Sequence, residues 1–353
     1  SPMSRGLGDV YKRQPLSSAI YLGMDTALTS TTANRLTTTT DATLAKALAE
    51  YAHAARGAVA DNTARALRAD TRTFAAWCAE QGVPHLPATP GTVASYIDDM
   101  STQGRAVSTV RRYVASIARL HRAAGVNTPT GDDVVRLALT RAARTQGTRQ
   151  QQAKGLTRRD IDVILHTLRG DQLTNMRDRA LFAVAYDTLC RRSELVALRV
   201  EDVSVNAEDG SGSVLVRRGK TDQEGQGNTR YLAPDTMRYL SAWLTTADIT
   251  AGPIFRGVRR GGNVQVMALE AGTVAKIFKA RAAAAGVDAK HVSGHSTRVG
   301  AAQDLAGANM ELSAIMQAGG WKSPSMPARY GEHLTVKRGA MAQLAARQGR
   351  QGK

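Results

Sequence analysis

Between residues 44 and 144 the chain spells out a succession of short amphipathic helices, each with its own start and stop, and this punctuation commits the region to an all-helical fold. Thr89 followed by Pro90 is an N-cap with proline at the first helical position, after which Val93, Tyr96, Ile97 and Met100 repeat at i, i+3, i+4 and i+7. Upstream, Leu67, Phe74, Trp77 and Cys78 share one helical face and Gly82 ends the run. Downstream, Ser108 is read as the cap of a further helix whose stripe is Val110, Tyr113, Val114, Ile117 and Leu120, with Gly125 as its stop.

The pattern resumes after a break. Residues 145–155 form a polar, Gln-rich stretch without caps, the composition of an interdomain linker. Thr157 then caps a helix with Ile161, Ile164, Leu165 and Leu168 on its apolar face. From there the chain reads as mostly helical, interrupted near residues 212–233 by two β-rich runs flanking a Gly-rich turn, and near residues 264–269 by a further short strand. A chain of 353 residues is more than twice the length of an average domain, so two domains are expected, one on each side of the linker. Residues 1–43 lack sustained periodicity and are read as a tail; the first 14, SPMSRGLGDVYKRQ, resemble translated sequencing-adaptor text and are set aside from fold reasoning.

Charge decides the class of partner. Lys and Arg number 47 against 30 Asp and Glu, a net +17 at pH 7, which points to a polyanion, nucleic acid before a membrane surface. The excess is concentrated: residues 106–155 hold nine basic side chains, among them Arg111, Arg112, Arg119 and Arg122, against two acidic ones. A basic helix beside a basic linker suits a phosphate backbone. The turn containing Arg256, Arg259 and Arg260 is a second candidate contact, with a solvated turn as the equal alternative. No apolar run is long enough to span a bilayer and no signal peptide opens the chain, so a cytoplasmic protein without membrane contact is expected. Cys78 and Cys190 each sit in an apolar helical pattern, which argues for buried thiols rather than a disulfide or a zinc site.

Several catalytic classes are excluded by spacing. Gly219, Lys220 and Thr221 look like the end of a phosphate-binding loop, but Val214 stands where that loop needs glycine. His291 and His295 are four apart without the adjacent glutamate of a zinc hydrolase, and no acidic cluster suggests a two-metal nuclease. What remains is Arg191, Lys220, His295, Arg298, Trp321 and Tyr330. Singly, each has an ordinary structural explanation as a surface charge or a packing residue. Together they fit attack on a phosphodiester by a tyrosine hydroxyl. Two guanidiniums clamp the non-bridging oxygens, indole and imidazole N–H groups add directed donors, and a lysine on a hairpin protonates the leaving 5′-oxygen. Such a reaction needs no metal and no cofactor, and the phosphotyrosyl ester stores the bond energy for rejoining.

Two segments carry a specific resemblance. Residues 188–203, TLCRRSELVALRVEDV, and residues 293–344, SGHSTRVGAAQDLAGANMELSAIMQAGGWKSPSMPARYGEHLTVKRGAMAQL, resemble the active-site motifs of the tyrosine recombinases of the phage integrase family. The resemblance places the first catalytic arginine on Arg191, a supporting acid on Glu194 and the hairpin lysine on Lys220. It places the His-x-x-Arg pair on His295 and Arg298, the histidine-or-tryptophan position on Trp321 and the nucleophile on Tyr330. Trp321 departs from the histidine commoner in the family. The fold implied is mainly α, a two-lobed DNA clamp: a helical, SAM-like core-binding domain over 44–144 and a mixed helical catalytic domain with a small antiparallel sheet over 156–353. Its implied partner is double-stranded DNA with an inverted-repeat site, bound by a homo-tetramer in which a C-terminal helix, here residues 339–347, docks into a neighbour. A bacterial, phage or plasmid origin is implied as well. A topoisomerase using the same chemistry and a DNA-binding relict without activity are the alternatives.

Overall fold

The computed structural model describes residues 37–149, 151–219, 222 and 225–350, in two compact units divided in sequence between residues 150 and 151. The adaptor-like stretch and Lys220 lie outside the described residues.

The first unit is all helical: α1 (Thr37–Ala54), α2 (Asp61–Glu80), α3 (Pro90–Thr102), α4 (Val107–Ala123) and α5 (Asp133–Gln146). Helix α1 begins inside the stretch read as tail. The cap at Thr89 forms as expected, its hydroxyl accepting the Thr92 N–H, whereas α4 starts earlier than expected: Ala106 is its N-cap and Ser108 lies within the first turn. Burial explains the difference, since Val107 is 5% exposed and is drawn into the helix to pack. The core is aromatic. Tyr96 meets Phe74 and Trp77 edge-to-face at 5.0 and 5.2 Å, and the Trp77 indole N–H donates to Asp99 at 2.7 Å.

One buried group makes this unit sensitive to pH. His121 is fully buried, and its Nε2 accepts the Ala88 N–H at 2.9 Å while Nδ1 lies 2.8 Å from the Ile117 carbonyl. The amide can only donate, so Nε2 must carry a lone pair and the ring is the neutral Nδ1–H tautomer. Burial holds its pKa below the ordinary 6.5, and nearby His85 is lowered likewise, by burial first and by His121 second. For a histidine lowered in the folded state, the contribution to stability is complete above 6.5 and is lost as pH falls below that value. Urea unfolding of the intact chain, followed by hydrogen exchange in α2 to α4, should therefore show this unit weaker at pH 5.5 than at pH 7.5, and His121→Gln should flatten the dependence. A wild-type midpoint independent of pH across that range would refute the assignment.

The second unit runs from α6 (Arg158–Thr167) and α7 (Leu173–Thr188) through the one-turn α8 (Arg192–Leu195) to a three-stranded antiparallel sheet of β1 (Val203–Val205), β2 (Gly212–Val216) and β3 (Asn228–Leu232). Helix α9 (Pro234–Thr246), the hairpin β4 (Arg256–Val258) and β5 (Val264–Ala268), and α10 (Ala271–Ala284) follow. The unit ends in α11 (Ser296–Gly307), α12 (Leu312–Gly319), α13 (Ser325–Tyr330), α14 (Glu332–Arg338) and α15 (Ala340–Arg347). Thr157 caps α6 through a reciprocal box with Asp160. Helix α7 is the centre of the core, buried from Ala180 to Ala185 on every face, so it shows no amphipathic stripe. Phe182 stacks on Phe278 of α10 at 4.6 Å, and Trp243 of α9 donates to the Ile254 carbonyl. Cys190, like Cys78 in the first unit, is a buried free thiol, its pKa pushed up to about 11 by burial. No described helix is long and apolar enough to cross a membrane.

Candidate active site

Helix α7 ends on Leu189, a non-glycine residue in the left-handed region (φ 48°), and this turn delivers Arg191 to the start of α8. One turn on, Glu194 takes the Arg191 backbone N–H on one carboxylate oxygen (2.9 Å) and the Arg191 Nη1 on the other (2.6 Å). The arginine is thereby fixed by a charge-assisted bond to its own helix turn. Glu194 also touches the hairpin: a Cβ on Gly219 would lie 3.0 Å from its Oε1, so the backbone just before Lys220 packs on the carboxylate.

The second arginine enters from α11. Arg298 lies in its first turn, and His295, three residues before it, is the N-cap residue with right-handed helical backbone. Arg298 is 2% exposed. Its Nη1 donates to the Leu189 carbonyl, its guanidinium lies 4.0 Å from the centre of the Trp321 ring, and its Nη2 is buried without an acceptor among the described residues. Burial lowers its pKa to about 10, and Arg191 adds to the lowering; Glu194 and Tyr330 oppose the shift. The group remains charged at neutral pH. His295 is held below its ordinary pKa by partial desolvation and then by Arg298, Arg191 and Arg192, so at pH 7 it is a neutral imidazole.

Trp321 follows the αL glycine that ends α12, and its ring meets the Tyr330 ring edge-to-face at 6.0 Å. Tyr330 is the last residue of α13, and its carbonyl accepts from Gln303 of α11 at 3.3 Å. The structure thus brings Arg191, Glu194, His295, Arg298, Trp321 and Tyr330 to one place: two guanidiniums, two ring N–H groups and a phenol around a cationic pocket with one carboxylate. Such a pocket can hold a tetrahedral oxyanion with a tyrosine hydroxyl at its edge. Lys220 lies outside the described residues. Among those residues no group of three or more His, Cys, Asp or Glu is arranged to hold a metal.

Of the expected DNA contacts, Arg111, Arg112, Arg122, Arg259 and Arg260 are exposed. Arg112 is paired with Asp70, a buried carboxylate that also accepts from Ser116, and Arg119 donates to the Tyr51 hydroxyl at 2.9 Å. Both thus also hold the first unit together. Arg256 donates to the Pro253 and Ala251 carbonyls and braces its own loop. Sequence reasoning missed Arg230 of β3, which lies beside this pocket with its side chain half-buried.

The chain is similar to several known proteins. The chain is 33% identical over 286 residues to an integrase/recombinase XerD homolog of Selenomonas ruminantium, covering 78% of this chain and 83% of the relative. It is 29% identical over 306 residues to the recombinase Cre of Escherichia phage P1, covering 82% and 89%. Among solved structures, that of a Tn1549 transposon integrase in complex with circular intermediate DNA superposes with a TM-score of 0.56 at 16% identity, over 83% of this chain and 99% of the other, a likeness of fold. The Phage integrase family profile matches residues 154–336, just over half the chain and the whole of the pocket just described. On that match and on the extent of the XerD-like relative, the chain belongs to the phage integrase family, the tyrosine recombinases.

Proposed function

We propose that this protein is a site-specific DNA recombinase that cuts and rejoins strands through Tyr330. The Tyr330 oxygen attacks a backbone phosphorus, the P–O5′ bond breaks, and a 3′-phosphotyrosyl ester and a free 5′-hydroxyl result. Attack of an incoming 5′-hydroxyl reverses the step and releases the tyrosine. Arg191 and Arg298 bind the non-bridging oxygens, where charge accumulates in the transition state, and His295 and Trp321 supply ring N–H donors. Lys220 delivers a proton to the leaving 5′-oxygen. The observation that carries the reading is the buried Arg298, with one nitrogen lacking an acceptor among the described residues, beside Arg191 and Tyr330.

The partner is double-stranded DNA carrying an inverted-repeat site. The net charge of +17 and the exposed Arg111 and Arg122 of α4 support a large, salt-sensitive electrostatic contribution to binding. The core-binding role of the first unit, the linker near 145–155 and assembly of four protomers on two sites belong to the same reading. Helix α15, with Met341 71% exposed and Leu344 43% exposed, is suited to dock on a neighbouring protomer. The test is a denaturant-stable protein–DNA adduct, formed on fragments from the protein's own genomic neighbourhood and mapped to Tyr330 by peptide mass. An adduct at any other residue, or binding to an inverted-repeat site with no adduct at all, overturns the reading.

A further inference from the structure

Arg230 stands on β3 opposite Val214 of β2, on the strand face it shares with the buried Leu232, while Tyr231 points the other way and is exposed. Its Nη1 donates to two successive carbonyls at the end of α12, Gln317 at 2.7 Å and Ala318. These belong to the last turn of the helix, where the i to i+4 ladder runs out and the carbonyls carry the negative end of the helix dipole; Gln317 also takes the Gly320 N–H at 3.2 Å. A cation forked across them is a strong cap.

The residues beyond that cap lead into the site. Gly320 ends the helix in the left-handed region (φ 62°), and a Cβ there would fall 2.2 Å from Arg230 Nη2; a Cβ on Gly319 would fall 1.9 Å from the Trp321 ring. The glycine pair is pressed between the guanidinium on one side and the indole on the other. The next residue, Trp321, lies over Arg298 and against Tyr330. Behind the cap, Arg230 is within electrostatic reach of Arg191 and Glu194.

We infer that Arg230 is a positioning residue of the active site: by clamping the end of α12 to β3, it sets where Trp321 lies over Arg298 and beside Tyr330. The strand that Arg230 stands on also pairs with β2, so one side chain ties the sheet to the end of α12. Its catalytic consequence rests on the strand-transfer reading above; its structural consequence does not.

The test uses the full chain labelled with 5-fluorotryptophan. Three tryptophans, Trp77, Trp243 and Trp321, give three fluorine resonances, and Trp321→Phe assigns the third. In Arg230→Met, which keeps the stem and removes every donor, the Trp321 resonance should shift or broaden while those of Trp77 and Trp243 stay in place. Single-turnover cleavage should fall roughly 10- to 100-fold, the scale on which a displacement of about 1 Å degrades a pre-set site. DNA affinity should stay within about fivefold of wild type, the loss of one ordinary hydrogen bond. Arg230→Lys, which keeps the charge and can still donate to a carbonyl, should recover part of both the resonance position and the rate. An unmoved Trp321 resonance in Arg230→Met overturns the inference, and so does a wild-type cleavage rate in that variant. If Arg230→Met disturbs all three resonances, Arg230→Lys decides by the same measures: a change confined to Trp321 supports the clamp, and an unmoved Trp321 overturns it. If the wild-type protein forms no adduct, the functional reading fails while the fluorine spectrum still reports on the clamp.

Discussion

With Tyr330 replaced by phenylalanine, the protein should bind its DNA site and form no covalent adduct, cleavage falling by about four orders of magnitude or more. Removing a nucleophile in other enzymes has an effect of that size, because the remaining machinery has nothing to activate. The Tyr330 ring is held by its edge-to-face contact with Trp321 and by the Gln303 bond to its own carbonyl, neither of which uses the hydroxyl. The substitution therefore deletes the reacting oxygen and leaves the aromatic packing intact. Affinity should change by no more than about fivefold, the worth of a single hydrogen bond near 1 kcal/mol. A gel-shift titration beside a denaturing adduct assay checks both halves. Residual adduct in the variant would move the nucleophile elsewhere. Loss of binding together with cleavage would mean that the hydroxyl also holds the DNA or the fold, and that the assignment of the oxygen to chemistry alone is wrong.

Gly300→Ala should be the most damaging small substitution in the second unit. Helix propensity alone favours alanine by about 1 kcal/mol. Against that, the new Cβ would lie 1.8 Å from the Leu156 carbonyl oxygen and 2.7 Å from the Thr157 nitrogen, both backbone atoms. That segment cannot give way easily. Leu156 is fully buried and donates to the Ser296 carbonyl, and Thr157 is engaged in the cap of α6. Forcing the two backbones apart should cost about 3 kcal/mol, which leaves a net loss of about 2 kcal/mol after the propensity gain and lowers the melting temperature of the unit by roughly 4–8 °C. Because α11 also carries Arg298, adduct formation should fall with it. Gly307, at the other end of the same helix, is the control: nothing lies within 4 Å of its Cβ position, so Gly307→Ala should be neutral or stabilising by up to about 1 kcal/mol. Calorimetry on the two variants separates the clash from any general intolerance of alanine in α11, and equal melting temperatures would remove the close-approach argument.

The parts of the molecule within reach of sequence reasoning are those where local rules and tertiary packing agree. Thr89 and Thr157 cap helices because a hydroxyl before an apolar stripe satisfies an amide whatever else surrounds it. Where packing overrides the local signal, the signal misleads. Val107 draws the start of α4 past the Ser108 hydroxyl, and α7, buried on all faces, offers no stripe to read. Strands β1 and β4, three residues each, are shorter than the alternation that would reveal them. The catalytic candidates are legible because several chemically distinctive residues stand in motif spacing. Arg230 is not, since a lone arginine in a polar strand looks like surface, and its partners are 87 and 88 residues away. Likewise nothing local distinguishes Arg112, which pairs with the buried Asp70 of another helix, from Arg111 beside it, although both are exposed to solvent.

The Arg298 nitrogen without an acceptor among the described residues has a thermodynamic meaning of its own. A buried donor left unmatched weakens the folded state by about 1–3 kcal/mol, and this one sits among other guanidinium groups with a single carboxylate to offset them. That is a cost which a tetrahedral oxyanion bound there would relieve. By mass action, any small phosphate-like ion that fits should stiffen the second unit in proportion to the logarithm of its concentration, and should compete with DNA as it does so. On the strand-transfer reading, binding of a phosphodiester and consolidation of the fold around Arg298 are, at this point in the chain, one event.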